Sequence, residues 1–457
     1  MPTITSLNPS NDEVLQEFQS HSEGDWSKIV ERTADVQLDW RKTSMEHRTE
    51  LLRNLAAQLR RNVESYGRLI ATEMGKPIAQ AIGEVDKCAG CCDYYAEEAP
   101  RQLAEDVVDS DASRSAVQYL PLGVVLAIMP WNYPFWQVIR AIVPAITAGN
   151  AIVLKHASNV PQSAMALEAA FSEAGFPVGL MSTILVPGRA TADVIRHPAI
   201  VAVTLTGSEQ AGRDVGQVAG HALKKAVLEL GGSDPFIVLP DADVAAAGVA
   251  ASQARTLNNG QSCIAAKRFL VATEVHDEFL AAFSAAMSAL SVGDQLDPTT
   301  ELGPLARRDL RDELHDQVSR TLFAGGRLVV GGGRPEGPGA FYPPTILAGV
   351  QPGMTAFDEE LFGPVAAVTS GGTAAELVKL ANRSPYGLGA SIWTADTERA
   401  ERLAQDLDSG MVFVNGIVKS DSRLPFGGVK ASGYGRELGA QGIREFVNVR
   451  TLWVRRP

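Results

Sequence analysis

Cys263 closes the run Asn258-Asn-Gly-Gln-Ser-Cys263, a polar, glycine-containing turn that is expected to expose it. A cysteine thiolate is an intrinsically strong nucleophile, but an isolated cysteine is more often a small buried residue, so the neighbouring segments decide. Glu229 opens Glu229-Leu-Gly-Gly232, where a carboxylate beside two permissive glycines is either a base or a surface acid. Asn132 lies in Pro130-Trp-Asn-Tyr-Pro134. The prolines favour an extended segment whose amide offers an N–H donor to a developing oxyanion, with a simple turn as the alternative. Trp136 and Arg140 follow at helical spacing and share one face. The turn Thr206-Gly207-Ser208 separates a strand candidate from a helix beginning at Glu209, and backbone N–H groups at such a helix start suit a pyrophosphate. The same turn occurs in many α/β proteins with nothing bound.

The elements that must position these residues read as α/β. Thr43 and Glu46 resemble a capping box, and Leu51, Leu55 and Leu59 recur at four-residue spacing, so a helix begins there and helical sequence continues to about Glu98. Beyond Pro121 short apolar runs alternate with Ala-rich helical stretches, the pattern of a parallel sheet with crossover helices. The strand candidates are Val124 to Ile128, Ala151 to Lys155, Ser182 to Val186, Val201 to Leu205, Lys225 to Leu230 and Phe236 to Leu239. Gly149 and Gly175 stand where helices should end. After Gly232 a second α/β series runs to about Gly416. The polar stretch from Glu105 to Tyr119 reads as a β-arm that pairs with Phe446 to Val454 or with another subunit. Gly331 to Gly339 reads as a surface turn, because Glu336 occupies the third glycine's place in a dinucleotide fingerprint.

Composition narrows the function classes. With 457 residues, 45% hydrophobic and 21% charged, the chain is a multidomain globular protein. A formal net charge of -12 argues against nucleic-acid binding. It also means that an anionic substrate needs a local cation to recruit it. The N-terminal residues lack the pattern of a signal peptide, and no apolar run reaches the ~18 residues of a membrane span, so a cytoplasmic location is expected. Cys88, Cys91 and Cys92 cluster without a nearby fourth ligand, within a segment that reads as one helix. They are expected to be packing thiols, and no metal is predicted.

Six segments together resemble the aldehyde dehydrogenase superfamily: Pro130-Trp-Asn-Tyr-Pro134, Leu205-Thr-Gly-Ser208, Glu229-Leu-Gly-Gly232, Gly260-Gln-Ser-Cys263, Glu360-Leu-Phe-Gly-Pro364 and Pro425-Phe-Gly-Gly428. The resemblance covers nearly the whole chain. It implies two doubly wound α/β domains and a β-arm that assembles a homodimer or homotetramer. The dinucleotide-binding domain would span 1–104 and 123–231, the catalytic domain 232–430, and the arm 105–122 and 440–457. Cys263 would attack an aldehyde, Asn132 would hold the oxyanion, and Glu229 would activate water against the thioester, with Glu437 as a second proton relay. Trp131, Lys155, Ser158, Gly207, Ser208, Glu360 and Phe362 match cofactor contacts.

Trp136, Arg140, the Cys263 to Arg268 run and Lys419-Ser420 resemble bacterial succinate-semialdehyde dehydrogenases, which implies a carboxylate anchor built from Trp136, Arg140 and Ser420. Two positions depart from that pattern. Leu257 stands where several such enzymes carry a second arginine, with Arg255 near but displaced, and Ala265 stands where redox-regulated forms carry a second cysteine. Another small aldehyde, such as glutarate semialdehyde or an aliphatic or aromatic one, is the alternative substrate. A non-catalytic member would have lost Cys263 or Glu229, and a Cys/His hydrolase would need a histidine motif that is missing beside Cys263. Ser158 in Lys155-His-Ala-Ser158 replaces a glutamate common in NAD-preferring relatives, so NADP is expected to be preferred over NAD; the plain alternative is that Ser158 caps the helix before Pro161.

Overall fold

The computed structural model describes residues 3–456. Two mainly parallel sheets, each flanked by helices, carry the chain. The first has six strands in the order Gly433–Tyr434, Lys225–Glu229, Ile200–Thr206, Val124–Met129, Ala151–His156 and Met181–Thr183. All but Gly433–Tyr434 run parallel. Val124–Met129 and Ala151–His156 are buried at every residue, as strands covered by helices on both faces must be. In chain order the sheet starts at Val124–Met129, grows outward one way, then reverses to place Ile200–Thr206 on the other side. That reversal opens a crevice at the carboxyl ends of those two strands, where open α/β sheets bind ligands. Pro130-Trp-Asn132 and Gly207-Ser208 follow those two ends.

The second sheet has seven strands, Arg327–Val330, Thr345–Ala348, Val365–Gly371, Ala266–Ala272, Asp234–Val238, Gly389–Trp393 and Met411–Val414, parallel except at the first pair. The segments entering its strands carry Gly231, Cys263 and Glu360, so the amino ends of this sheet meet the carboxyl ends of the first. Val447–Val454 pairs antiparallel with Arg114–Pro121, in register from Val447 opposite Pro121 to Val454 opposite Arg114, and Asp106–Val107 adds a third short strand. The polar stretch is thus a hairpin arm that the C-terminal strand completes.

Several local expectations need correction. Ser44, not Thr43, caps the helix Met45–Arg61, its side chain accepting from His47 N. The strand expected over Ser182 to Val186 is Met181–Thr183. Phe236 to Leu239 belongs to the second sheet, as Asp234–Val238. Ser158 does not cap the helix Pro161–Glu173, whose N-cap position is Val160. A hairpin of Thr3–Leu7 and Val14–Gln19 was not anticipated. Gly149 and Gly175 do follow helix ends, with φ of 101° and 95°. Cys88, Cys91 and Cys92 are buried in the helix Ile78–Gln102.

Candidate active site

The loop that carries Cys263 leaves the helix Val244–Thr256 through three consecutive left-handed residues, Asn258, Asn259 and Gly260, at φ of 58°, 57° and 74°. Asparagine tolerates that conformation because its short polar side chain bonds locally. Asn258 Nδ2 donates to Asn132 O at 2.7 Å and Gln261 O at 3.0 Å, and Asn259 Nδ2 to Gly75 O at 2.8 Å and Pro304 O at 2.9 Å. At Gly260 a Cβ would fall 2.3 Å from the carbonyl carbon of Gly363, so only glycine lets this loop meet the Glu360-Leu-Phe-Gly-Pro364 segment. The turn is therefore buried rather than exposed, and Cys263 itself is half-buried.

Two buried cations brace the loop from beneath. Arg255, fully buried, donates to Gly260 O and Ala266 O and so braces the loop that carries Cys263. Lys267 Nζ donates to Ser262 O at 3.0 Å, Cys263 O at 2.7 Å and Ala265 O at 3.2 Å, and lies 3.2 Å from Glu360 Oε1. Sequence reasoning gave Lys267 no role. The available signal was a Lys-Arg pair entering the otherwise apolar strand Ala266–Ala272, where a charge needs a specific reason to be.

Asn132 Nδ2 donates to Gln261 O at 2.8 Å, which holds its amide beside the Cys263 loop with a second N–H available. His156 fixes the preceding segment. Its Nε2 faces Pro134 O at 2.9 Å and its Nδ1 accepts from Ala157 N at 2.9 Å, so the proton sits on Nε2. Burial pushes His156 down to about 4, keeping it neutral.

Glu229 ends the strand Lys225–Glu229, buried, with neither carboxylate oxygen hydrogen-bonded among the described residues. Burial, then the charge of Glu437, raises its pKa well above the carboxylate range. Glu437 forms a buried ion pair with Arg140. Burial raises the Glu437 pKa as well, but the Arg140 cation opposes that rise more directly, so of the two acids Glu229 is the one more strongly biased toward the protonated form. Burial also pushes the Cys263 thiol up to about 11, against the opposing pull of Arg140 and Lys267.

Two cavities meet at Cys263. One, of roughly 560 Å³, is lined by Trp131, Asn132, Gly207, Ser208, Glu360 and Phe362 among others. The Trp131 and Phe362 rings meet edge to face at 5.7 Å. Ser208 caps the 13-residue helix Glu209–His221. Glu360 lies in this cleft, held by Gly232 N at 3.1 Å and by Lys267. The other cavity, of roughly 200 Å³, holds Trp136, Arg140, Lys419, Ser420, Leu257 and, unforeseen, Lys76, Glu84 and Lys87. Lys155 and Ser158 open instead on a third cavity of roughly 750 Å³, with Arg307 and Arg308.

A half-buried thiol between two cavities, a buried carboxyl and an amide donor, held where two doubly wound sheets meet, define an oxidoreductase-type α/β site. The chain belongs to the aldehyde dehydrogenase family, whose model matches residues 2–452. It is 46% identical over 451 residues to a probable NADP(+) succinate-semialdehyde dehydrogenase of Synechocystis sp. (strain ATCC 27184 / PCC 6803 / Kazusa), covering 99% of each chain. It is 47% identical over 448 residues to the NAD(P)+ succinate semialdehyde dehydrogenase Sad of Escherichia coli (strain K12), covering 98% of this chain and 97% of that one. The fold matches the crystal structure of succinic semialdehyde dehydrogenase from Streptococcus pyogenes in complex with NADP+ with a TM-score of 0.97 and 36% identity, covering 99% of this chain and 100% of that one.

Proposed function

We propose that the protein oxidises succinate semialdehyde to succinate with NADP, or less readily NAD, through a covalent intermediate on Cys263. The observation that carries this reading is the position of Cys263 at the junction of a cleft suited to a dinucleotide and a cavity lined by cations.

Residues of the larger cleft fit a nicotinamide dinucleotide. Gly207 and Ser208 present the amino end of a helix to a pyrophosphate, Glu360 suits the nicotinamide ribose hydroxyls, and Trp131 and Phe362 wall the ring's place. Lys155 and Ser158 suit the adenosine ribose. The bound dinucleotide supplies the acceptor for the hydride that leaves the substrate carbon.

Cys263 loses its thiol proton to solvent and adds as the thiolate to the aldehyde carbon, and the carbonyl oxygen becomes an oxyanion held by the Cys263 backbone N–H and the Asn132 amide. Loss of hydride from that carbon leaves a thioester. Glu229, once deprotonated, takes a proton from water as the water attacks the thioester, and the C–S bond breaks to release the acid and the thiolate. Glu437, whose charge acts on Glu229, is the second proton relay of this reading. Trp136, Arg140 and Ser420 face the substrate's far end.

The division into a dinucleotide-binding domain (1–104 and 123–231), a catalytic domain (232–430) and an arm (105–122 and 440–457) accompanies this reading. Among the described residues no helix is long and apolar enough to cross a membrane. Four free cysteines suit the reducing cytoplasm. Exposed Val107, Val449 and Trp453 on the arm suit assembly into a homodimer or homotetramer. The deciding test is initial-rate kinetics with succinate semialdehyde, glutarate semialdehyde and uncharged aldehydes, each with NADP and NAD. An uncharged aldehyde turned over with an equal or higher kcat/KM would overturn the substrate assignment.

A further inference from the structure

The cations of the smaller cavity are not equivalent. Arg140 is paired with Glu437 and lies over the Phe426 ring, 4.3 Å from its centroid. Lys76 is paired with Glu84. Lys419, open to solvent as Lys87 also is, lies near enough to Asp421 to lower that carboxyl. Lys87 makes no salt bridge among the described residues. Its Nζ donates to Ser420 Oγ at 2.6 Å and sits 4.3 Å from the centroid of the Trp136 ring. Trp136 Nε1 donates to the same Ser420 Oγ at 3.1 Å. An ammonium and an indole N–H thus converge on one neutral hydroxyl oxygen, an arrangement of donors in which the acceptor carries no charge.

From this convergence we infer that Lys87, with Trp136 Nε1 and Ser420 Oγ, forms the subsite that binds the carboxylate of a short ω-carboxy aldehyde, and that Lys87 supplies its uncompensated charge. The inference rests on the reading that the enzyme oxidises succinate semialdehyde.

The geometry is fixed by the helix that carries Lys87. Glu84, one turn earlier on Ile78–Gln102, accepts the backbone N–H groups of Phe135 and Trp136, each at 2.9 Å, and so ties the start of the helix Trp136–Thr147 to this one. Lys87 and Trp136 are therefore held side by side in the lining of the cavity, which Cys263 also lines. Desolvation, then the nearby Arg140 cation, pushes Lys87 down to about 8, which still leaves it charged near neutral pH. The charge balance favours Lys87. Arg140 with Glu437 and Lys76 with Glu84 each sum to zero, Glu229 contributes zero or minus one, and the whole chain carries -12. Of the two lysines of the cavity left without a salt bridge among the described residues, Lys87 donates to Ser420 Oγ whereas Lys419 lies beside Asp421. A carboxylate oxygen entering beside Ser420 takes the Lys87 and Trp136 hydrogens that now point at the hydroxyl, and the hydroxyl turns to donate as well.

The test compares kcat and KM for succinate semialdehyde and for pentanal, a chain of similar length without charge, in the parent, Lys87→Met and Lys87→Arg. The parent is expected to favour succinate semialdehyde. Lys87→Met is expected to lower kcat/KM for succinate semialdehyde at least tenfold more than for pentanal, with the loss in KM rather than kcat, and Lys87→Arg to restore most of that ratio. A parent with the preference and a Lys87→Met variant that keeps it, or that loses both activities in parallel, overturns this inference alone. A parent without the preference overturns the substrate reading and this inference with it.

Discussion

Arg140 and Glu437 face each other in an ion pair with only 3% and 4% of their side chains exposed, and Glu229, with no hydrogen-bond partner among the described residues, feels the charges of both. This relationship sets the protonation of Glu229, the proposed base. Glu437 repels negative charge from Glu229, while part of Arg140's pull is spent on Glu437. Glu437→Gln removes the repulsion and frees the guanidinium, and both changes lower the Glu229 pKa. Because the base form exists above that pKa, the rising limb of steady-state turnover against pH should move to lower pH in the variant. A limb that stays in place or moves upward would show that Glu437 does not control Glu229.

Glu229→Gln should separate the two halves of the reaction. General-base assistance contributes about 10²–10⁴-fold, so thioester hydrolysis should slow by that order while the first hydride transfer is largely kept. Rapid mixing with substrate and NADP should then show a burst of reduced cofactor close to one equivalent per site, followed by a slow phase. Parallel slowing of burst and steady state would remove Glu229 from the base role.

In the free enzyme the Cys263 thiol is held up at about 11 by burial. The thiolate fraction, and with it the rate of carbamidomethylation by iodoacetamide, should therefore rise about tenfold per pH unit across the neutral and mildly alkaline range. Cys263→Ser should abolish both labelling and oxidation while NADP still quenches tryptophan fluorescence on binding. A labelling rate already level at pH 7 would mean that Arg140 and Lys267 outweigh burial and the thiolate is preformed.

What could be read along the chain was what short-range chemistry determines. Val124–Met129 and Ala151–His156 were legible because a doubly covered strand is apolar at every position. The hairpin of Thr3–Leu7 and Val14–Gln19 was not, because its second strand is mostly exposed and mixes polar with apolar residues. Thr43 and Ser44 both offer a capping hydroxyl, and only backbone geometry selects Ser44. In the site, Cys263, Glu229 and Asn132 stand in compact motifs. Lys87 does not: 333 residues separate it from Ser420, and its own helix reads as an ordinary amphipathic one. Arg255 and Lys267 were visible as charges, but their role depends on carbonyls that a left-handed turn aims at them.

The cofactor prediction concerns Ser158. It is exposed in a cavity shared with Lys155, Arg307 and Arg308, and it caps no helix, so its hydroxyl is free of the duty that would otherwise explain it. The charges around it decide the expectation. Arg307 and Arg308 are engaged by Asp309 and Asp12, whereas among the described residues Lys155 bonds only the carbonyl of His156 at 3.3 Å. Burial lowers the Lys155 pKa, and a 2′-phosphate would favour its charged form, so phosphate and ammonium stabilise each other. Ser158→Glu places a carboxylate where that phosphate would lie and next to the lysine that would hold it. Like-charge repulsion then acts against NADP alone, because NAD presents a hydroxyl that a carboxylate accepts from. Measured as the ratio of kcat/KM for NADP to that for NAD, preference should fall by at least about tenfold, a change of ~1.4 kcal/mol. The loss should appear in the KM for NADP, with turnover at saturating NAD little altered. A parent enzyme that already favours NAD by a wide margin, or a variant whose ratio is unchanged, would place the 2′-phosphate elsewhere and remove Ser158 from cofactor selection.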